Sequence, residues 1–178
     1  MPHLRAHSAV LLAGGVAAAV VATCNPPQPS ARQAQVAPSA PAHVAASAPG
    51  GAWNAAQIAW VSFEAGLARA RAERKKVCLV LHASWCSHCR NFERVFEDPR
   101  VVARARDFVM VNVDIDHEPA VSSRYSIDGA YVPRTFFLDA DGSALADVDA
   151  HRPSYRFFFD EHNAAPLLAA MDAAAAHR

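Results

Sequence analysis

The sequence predicts an α/β domain in which a central mixed β-sheet of four to five strands is flanked by helices on both faces. Two apolar runs at 77–83 and 108–114 are typical of buried strands. Helical signals lie before, between and after them. A late turn signal, Asp141-Gly142, follows a third apolar run and indicates a hairpin. Helices that alternate with strands, followed by a hairpin, indicate a mixed sheet.

The composition allows one domain and gives little information about partners. The chain has 178 residues, 52% of them hydrophobic, which is enough for a single core. The 17 basic residues balance the 17 acidic ones, so there is no electrostatic case for binding nucleic acid or broad membrane surfaces. We expect a monomer that binds no nucleic acid.

The amino terminus is typical of an export signal, here residues 1–24. Arg5 precedes the run "AVLLAGGVAAAVVATC", which is too short and too rich in glycine and alanine for a comfortable membrane span. Val20 and Ala22 suit ordinary signal peptidase, whereas "VATC" resembles a bacterial lipobox with Cys24 as the lipidated residue, although its threonine departs from the usual residues. We expect the lipoprotein type, in the periplasm or cell envelope and held at a membrane through Cys24; a secreted protein with a spare thiol is the alternative.

Residues 25–52 are predicted to form a disordered linker, and residues 53–178 the folded domain. The linker consists almost wholly of proline, alanine, serine, glutamine and glycine, which cannot bury enough apolar surface to order themselves. Such a tether would let the domain move some tens of ångströms from an anchor.

The first half of the domain contains a helix, a strand and the cysteine motif. Ser62 is a suitable N-cap for a helix to about Lys75. The run "VCLVLHA" at 77–83 is bounded by charges and predicts a buried strand. A helix should begin at the cysteine pair and carry Phe92 and Phe96 on its apolar face.

The middle of the domain is predicted from one cap and one apolar run. Asp98-Pro99 indicates an N-cap with proline at the first helical position, opening a helix to about Arg106. "FVMVNVD" at 108–114 predicts a strand, and a short helix should follow near 119–125.

The last third is predicted to contain the hairpin and a closing helix. Strands are expected at 134–139 and 143–148, and 154–159 should form either an edge strand or an extended segment. Asn163, or a residue just before it, should cap a helix to about Ala175. The order and lengths of all these elements suit a thioredoxin fold.

The stretch "ASWCSHCR" holds the candidate chemistry. Cys86 falls where a strand passes into a helix, and the unpaired N–H groups and helix dipole there favour a thiolate, which lowers its pKa from the free value of about 8.5. Cys89 lies one turn on, close enough to close a disulfide but further inside the helix. Cys86 would therefore be the nucleophile and Cys89 the resolving thiol. A positive His88 would lower the thiolate pKa further and make the disulfide more oxidising.

Other uses of the cysteine pair fit the sequence less well. Zinc needs two more ligands at comparable spacing, and no second C-x-x-C or H-x-x-H is present. A c-type haem needs histidine directly after the second cysteine, where the chain has Arg90. Copper binding and a purely structural disulfide remain alternatives, but we expect a redox pair with no metal and no cofactor.

Val132-Pro133 directly precedes the predicted strand at 134–139. The proline is either a turn or strand-entry residue, or a cis-proline packed against the cysteine pair. In the second interpretation the Val132 backbone is free to pair with an extended substrate segment.

The segments "HASWCSHCR", "YVPRTFFLDADG" and "PSYRFF" resemble the thioredoxin-like proteins of the endoplasmic reticulum that include the anterior-gradient group, over about 58–174. "WCSHCRNFERVFEDPRVV" is similar, more loosely, to the thioredoxin-like domain that ends bacterial transmembrane thiol reductases. The resemblance implies a thiol–disulfide oxidoreductase with Cys86 and Cys89 as redox pair, Pro133 as the cis-proline and Trp85 as an aromatic shield.

The chain departs from these relatives at two places. Ser87-His88 stands where the eukaryotic relatives have small residues, so its redox potential could differ from theirs. Many thioredoxins carry a buried acid five residues before the tryptophan, and Val80 occupies that position here. No carboxylate is therefore expected there to take the proton of Cys89.

Four further features have structural and functional interpretations. Cys78 is read as a small buried residue rather than a regulatory thiol, and His82 as a structural histidine rather than a proton relay. The acidic stretch 114–119 is either a solvated loop or a border of the substrate groove. Residues 157–159 are expected in the core or at a sheet edge rather than in a binding patch.

These observations predict a protein that oxidises or isomerises cysteines of exported proteins and is reset by a redox partner. A periplasmic reductase supplied with electrons by a membrane protein is the first alternative. A redox-sensitive chaperone or metal-delivery module that uses the same cleft without turnover is an alternative of another class.

Overall fold

The computed structural model describes residues 53–178, so the predicted signal peptide, Cys24 and linker lie outside the described residues. None of the helices within that range is long and apolar enough to cross a membrane. The elements are, in chain order, β1 Trp60–Val61, α1 Phe63–Glu73, β2 Val77–His82, α2 Ser87–Glu93 with a 3₁₀ turn Arg94–Glu97, α3 Pro99–Ala105, β3 Val109–Asp114, α4 Pro119–Arg124, β4 Arg134–Leu138 and α5 Ala164–Ala176.

The four strands form one mixed sheet in the order β1-β3-β2-β4. β1 and β2 run parallel to β3, and β4 runs antiparallel to β2. The parallel pair is in register from Val77 opposite Val109 to His82 opposite Asp114. Both central strands therefore end at the same edge of the sheet, and the cysteine motif follows directly from that edge.

Helices cover both faces, as the predicted fold class requires. Alternation along β2 sends Leu79 and Leu81 to one face, where they pack in a cluster with Phe63 and Leu67 of α1. Cys78 and Val80 point to the other face, whose cluster includes residues of α2, α3 and α5. The thioredoxin fold predicted from the element order is confirmed.

Gly66 allows α1 to lie close against the sheet. A Cβ atom at this position would overlap with Cγ2 of Val111 in β3. The absence of a side chain at Gly66 therefore sets the distance between helix and strand.

Most helix boundaries agree with the caps predicted from the sequence. Asp98 accepts a hydrogen bond from the backbone N–H of Arg100, and Asn163 accepts one from Ala165, so both act as N-caps. Ser62 occupies the N-cap position of α1, but its side chain makes no capping hydrogen bond.

The predicted fourth strand at 143–148 is wrong. Only an isolated bridge joins Ala144 to Leu138, and the chain then turns, with the Val148 N–H donating to the Leu145 carbonyl. Leu145 and Val148 are both buried in the same cluster. Two core residues spaced by three on one side suit a turn, whereas a strand would place them on opposite faces.

The count of four strands is nevertheless met, because the structure contains the short strand Trp60–Val61 that the sequence analysis missed. The segment 154–159 is extended and turning, not an edge strand. Its contact with the sheet edge includes a hydrogen bond from the Thr135 N–H to the Phe157 carbonyl, 2.9 Å long. Phe157 and its second neighbour Phe159 are buried, as predicted for core residues.

Candidate active site

The first cysteine of the motif is the N-cap of α2. The Cys86 sulfur accepts a hydrogen bond from the backbone N–H of Cys89 at 3.2 Å, and the Cys86 N–H donates to the Ala83 carbonyl. The two sulfurs are not joined in a disulfide in this structure. A sulfur that receives a backbone N–H at a helix start is placed to carry negative charge.

The predicted proline loop lies against this sulfur. The Val132–Pro133 peptide bond is cis, and Sγ of Cys86 lies 3.7 Å from the Val132 carbonyl oxygen, to which the thiol donates a weak hydrogen bond. Val132 is half-buried against the core, and Pro133 is buried. The structure thus brings Cys86, Cys89, Val132 and Pro133 together.

The second cysteine and the strand cysteine are held as thiols. Burial, and then the neighbouring Cys86 and Asp114, raise the pKa of the Cys89 thiol well above its ordinary value. Burial alone raises the pKa of Cys78 to about 12. Cys78 is completely buried in the core, which agrees with its interpretation as a small apolar residue.

Trp85 stands at the mouth of the site with 64% of its surface exposed. Its indole Nε1–H donates to Asp116 Oδ2 at 2.7 Å, which holds the ring on the surface beside Cys86 in the chain. Asp116 belongs to the acidic stretch 114–119, so part of that stretch borders the site through the tryptophan.

His88 contacts a loop that approaches from the end of the chain. Its Nδ1 lies 2.8 Å from Glu161 Oε2, and its ring packs edge-on against Phe158 at 5.7 Å between centroids. Within residues 53–178, His88 makes no hydrogen bond to Cys86. The polar partner of His88 is therefore Glu161, which also accepts a hydrogen bond from Asn91 at 3.3 Å.

Arg134 anchors the proline loop from inside the protein. It is completely buried, and its Nη1 donates to the carbonyls of Tyr125 and Gly129, both at 2.8 Å. Nη2 donates to the Ser122 hydroxyl at 2.7 Å. Burial lowers the pKa of the guanidinium. These bonds join the residue after Pro133 to α4 and to the turn that follows it.

A polar group lies behind the motif, where β2 and β3 end. His82 and Asp114 are buried register partners, and the Trp53 ring lies 5.0 Å from the His82 ring. Burial lowers the pKa of His82, while the Asp114 charge acts in the opposite direction. The aromatic rings of Trp53 and Phe92 pack together beside this group.

Across residues 53–178, no three histidine, cysteine or acidic side chains are grouped so that they could hold a metal ion. A groove of about 530 Å³ beside His88 is lined by Arg152, Phe158 and Glu161, among others. The site therefore offers two thiols, a backbone carbonyl and a partly polar groove.

A family model described as "Thioredoxin-like" matches residues 59–140, which include both cysteines and Pro133. Anterior gradient protein 3 of Mus musculus is 33% identical over 115 residues, 62% of this chain and 67% of the relative. The protein of that name from Xenopus tropicalis is 30% identical over 114 residues, with the same two coverages.

The chain belongs to the thioredoxin-like family that includes the anterior gradient proteins.

A solved structure described as "DsbH Oxidoreductase" is also similar, with a TM-score of 0.54 and 21% identity over 68% of this chain and 86% of that one. This likeness shows the thioredoxin fold and nothing finer. The chain spans about two thirds of the length of the anterior gradient relatives it matches.

The roles of several residues at this thioredoxin-like site could not be recognised from the sequence alone. Asp116 and Glu161 lie 31 and 73 positions from their partners Trp85 and His88, and no local pattern pairs residues over such distances. The sequence pattern predicts Arg134 only as the first residue of a strand. An arginine inside an apolar run was a usable signal, because a buried guanidinium must find several acceptors.

Proposed function

We propose that this protein is a thiol–disulfide oxidoreductase that oxidises or isomerises cysteines of exported proteins. The observation that carries the proposal is the Cys86 sulfur, which caps α2, accepts the Cys89 N–H at 3.2 Å and lies 3.7 Å from the Val132 carbonyl. Membership of the thioredoxin-like family supports it. The geometry suits exchange through a mixed disulfide at one sulfur.

In the oxidative direction, a substrate thiolate attacks Sγ of Cys86 in the Cys86–Cys89 disulfide. A substrate–Cys86 disulfide forms, and Cys89 leaves as a thiolate that takes a proton. A second substrate thiolate then attacks the substrate sulfur of the mixed disulfide, and Cys86 leaves. The substrate loses two electrons and becomes a disulfide, while the protein gains them as a dithiol. A disulfide-bearing redox partner restores the oxidised protein by the same exchange.

The backbone next to the cis-proline is the proposed substrate contact. The Val132 carbonyl faces Cys86, so an extended substrate segment that pairs with Val132 would bring its own cysteine to Sγ. Trp85 covers the other side of the motif with an exposed apolar ring. Neither contact requires a defined side chain in the substrate, which suits an enzyme that acts on many exported proteins.

Trapping tests the proposal. In Cys89→Ala the Cys86 thiolate can still attack a substrate disulfide, which breaks the substrate S–S bond and releases one substrate thiolate. No second thiol of the site remains to resolve the mixed disulfide, so substrates should stay attached to Cys86 until reductant releases them. The matched control is Cys78→Ala, which removes a buried thiol and should trap nothing. If no mixed disulfides accumulate with Cys89→Ala in cells that export the protein, the mechanism is wrong.

The direction of exchange is tested by the reduction potential of the Cys86–Cys89 pair in glutathione buffers. A value of roughly −180 to −120 mV would support disulfide donation. A value near −270 mV, that of thioredoxin, would instead identify a reductase that needs an electron-supplying membrane protein.

Export and anchoring are part of the same proposal. Cys24 at the end of the apolar run would carry lipid and hold the domain at a bacterial membrane. Cells fed labelled palmitate should label the full chain but not Cys24→Ser. A full chain that is exported without label would be the secreted form.

A further inference from the structure

Two tyrosines lie beside the proposed substrate contact. Tyr131 directly precedes Val132, whose carbonyl faces the Cys86 sulfur. The ring of Tyr155 lies 4.9 Å from the Tyr131 ring, edge to face, and 55% of the Tyr155 surface is exposed. The tyrosine pair therefore continues the surface that a substrate bound at Val132 would meet.

A hydrogen-bond network holds the two tyrosines in place. The Tyr131 hydroxyl donates to the Asp128 carboxylate at 2.8 Å and accepts the Phe157 N–H at 3.0 Å. Asp128 also accepts the Arg156 N–H at 2.6 Å, and the Arg156 Nε–H donates to Asp149 at 2.7 Å. The two segments that carry the rings are thus fixed relative to each other. A surface that is already ordered loses little conformational entropy when it binds a partner.

The backbone at Tyr155 does not favour a tyrosine. Its φ of +53° is left-handed, a conformation in which glycine or asparagine is the expected residue. Residues 151–155 are all exposed, and the Tyr155 hydroxyl makes no hydrogen bond within residues 53–178. Because the ring is not buried in the core, packing of the fold does not account for it. Backbone conformations of this kind are concentrated at functional sites.

Ile127 extends this surface. It precedes Asp128, and Tyr155 precedes Arg156, so the two side chains flank the 2.6 Å hydrogen bond between Asp128 and Arg156. Within residues 53–178, the exposed large hydrophobic residues are Ile127, Tyr155 and Trp85 of the cysteine motif. Exposed apolar side chains that gather around one site are typical of a binding surface. We call Ile127, Tyr131 and Tyr155 the aromatic patch.

The chemistry of the aromatic patch favours an apolar side chain as its occupant. The charged groups beside it are already paired, Asp128 with the Tyr131 hydroxyl and Arg156 with Asp149. An apolar side chain gains free energy when it leaves water for such rings. Residues of an extended segment are about 3.3 Å apart, so a side chain within about three residues of the substrate cysteine would reach the patch.

We propose that the aromatic patch is a specificity site, which binds an apolar side chain within about three residues of the substrate cysteine. The preferred substrates are then extended segments in which aromatic or aliphatic residues stand near the cysteine. This specificity rests on the proposed oxidoreductase function, and it adds a preference among substrates to the backbone contact at Val132.

Peptides whose one cysteine is joined to 5-thio-2-nitrobenzoate (TNB) test the proposal in stopped flow. The Cys86 thiolate of the reduced full chain attacks the peptide sulfur, and TNB leaves as a coloured thiolate. Cys89 then attacks Cys86, the Cys86–Cys89 disulfide forms, and the peptide leaves as a thiol. All proteins carry Cys24→Ser, so that only the site reacts. A peptide with leucine or tyrosine near the cysteine should release TNB about 3- to 10-fold faster than an all-serine reference.

Variants of the patch should remove this ratio of rate constants. Tyr155→Asn suits the left-handed backbone but lacks the ring, and its ratio should fall to about one. Tyr155→Phe keeps the ring and should keep the ratio. His151→Ala is the matched control, because it removes an exposed ring from the same loop at a position that is also left-handed. It should match the unsubstituted protein.

Equal rates for the apolar and all-serine peptides in the unsubstituted protein would overturn the proposal, as would an unchanged ratio in Tyr155→Asn. If that variant does not fold, Ile127→Ser decides in the same way, since it should lower the ratio. A dimer in sedimentation that either variant dissociates would mean that a second copy occupies the patch, which also overturns the proposal. Failure of the oxidoreductase function would look different, because no peptide, the all-serine reference included, would then release TNB.

Discussion

The two sides of helix α2 have different surroundings, although the cysteines that define them are three residues apart. On the front, Cys86 meets a backbone carbonyl, and Trp85 and His88 face solvent and carboxylates. On the back, Cys89 is packed in the core cluster that contains Cys78 and Val80 of β2. The side with Trp85 and His88 can contact another protein. Cys89, on the opposite side, can react only with Cys86.

The contrast shows how one short motif yields two thiols of different chemistry. Cys86 is the residue before the first turn of the helix, where backbone N–H groups are unpaired, and Cys89 is one turn inside, against the sheet. Because Cys86 is the N-cap, its sulfur accepts a hydrogen bond from a backbone N–H. Burial raises the pKa of the Cys89 thiol. The predictions that follow test this division, from the largest effect to the smallest.

Alkylation should separate front from back by the widest margin. With a pKa of about 12, Cys78 holds roughly 10⁻⁵ of its thiol as thiolate at pH 7, about three-thousandfold below a free cysteine. Its burial lowers access further. A short pulse of iodoacetamide followed by peptide mass mapping should label Cys86 but neither Cys78 nor Cys89. In Cys86→Ser, Cys89 should stay unlabelled until the protein unfolds, and rapid labelling of Cys89 would break the contrast.

Arg134→Met should weaken the contacts that hold the cis-proline loop beside Cys86. The change keeps most of the side-chain volume but leaves the carbonyls of Tyr125 and Gly129 without their buried donor. We expect a loss of about 1–3 kcal/mol in the free energy of unfolding, measured in urea. Arg94→Met, at an exposed position on the 3₁₀ turn, is the control and should stay within about 0.5 kcal/mol. Equal effects of the two changes would mean that Arg134 is not the anchor.

His82 should make the back sensitive to acid. Its pKa is lowered in the folded state, so the unfolded chain binds a proton near pH 6.5 that the folded protein does not bind. The stability that neutral His82 provides is complete above about pH 6.5 and is lost as the pH falls toward the folded value. Urea unfolding at pH 7.5 and 5.0 should show a smaller acid loss for His82→Gln. The exposed His151→Gln should lose as much as the unsubstituted protein.

The His88–Glu161 pair should give the smallest effect, because the imidazole is largely exposed. Loss of the imidazole in His88→Ala should make the disulfide less oxidising, and loss of the carboxylate in Glu161→Gln should make it more oxidising. Each change should shift the potential by about 10–20 mV, from about 0.5–1 kcal/mol for an exposed charge. Equilibration with glutathione measures both, and two unchanged potentials would remove His88 from the account of the site.

The elements that the sequence predicted are those whose signals are local. The side chains of Asp98 and Asn163 cap the helices that begin after them, so these helix starts can be predicted locally. The apolar runs of β2 and β3 can likewise be recognised without knowing which strands pair with them. The short β1 and the turn at Leu145 were misjudged for the opposite reason. Trp60 and Val61 form a strand only because they pair with β3. Leu145 lies in a turn because its side chain packs in the core.

The cysteine pair and Pro133 could be identified from the sequence, since spacing and family resemblance point to them. Their surroundings could not be identified in that way. The partners of Trp85 and His88 come from distant segments, and Asp114 reaches the site because parallel strands end at one edge.

By itself, the sequence determined which residues can perform thiol chemistry and which segments become helices and strands, because thiols, caps and periodicity are properties of neighbouring residues. Only the tertiary structure decided that the Cys86 sulfur meets the Val132 carbonyl, that Trp85 pairs with Asp116 and that the loop with Glu161 meets His88. Those choices depend on burial and on contacts between distant segments, and both arise only when the sheet brings its strands together.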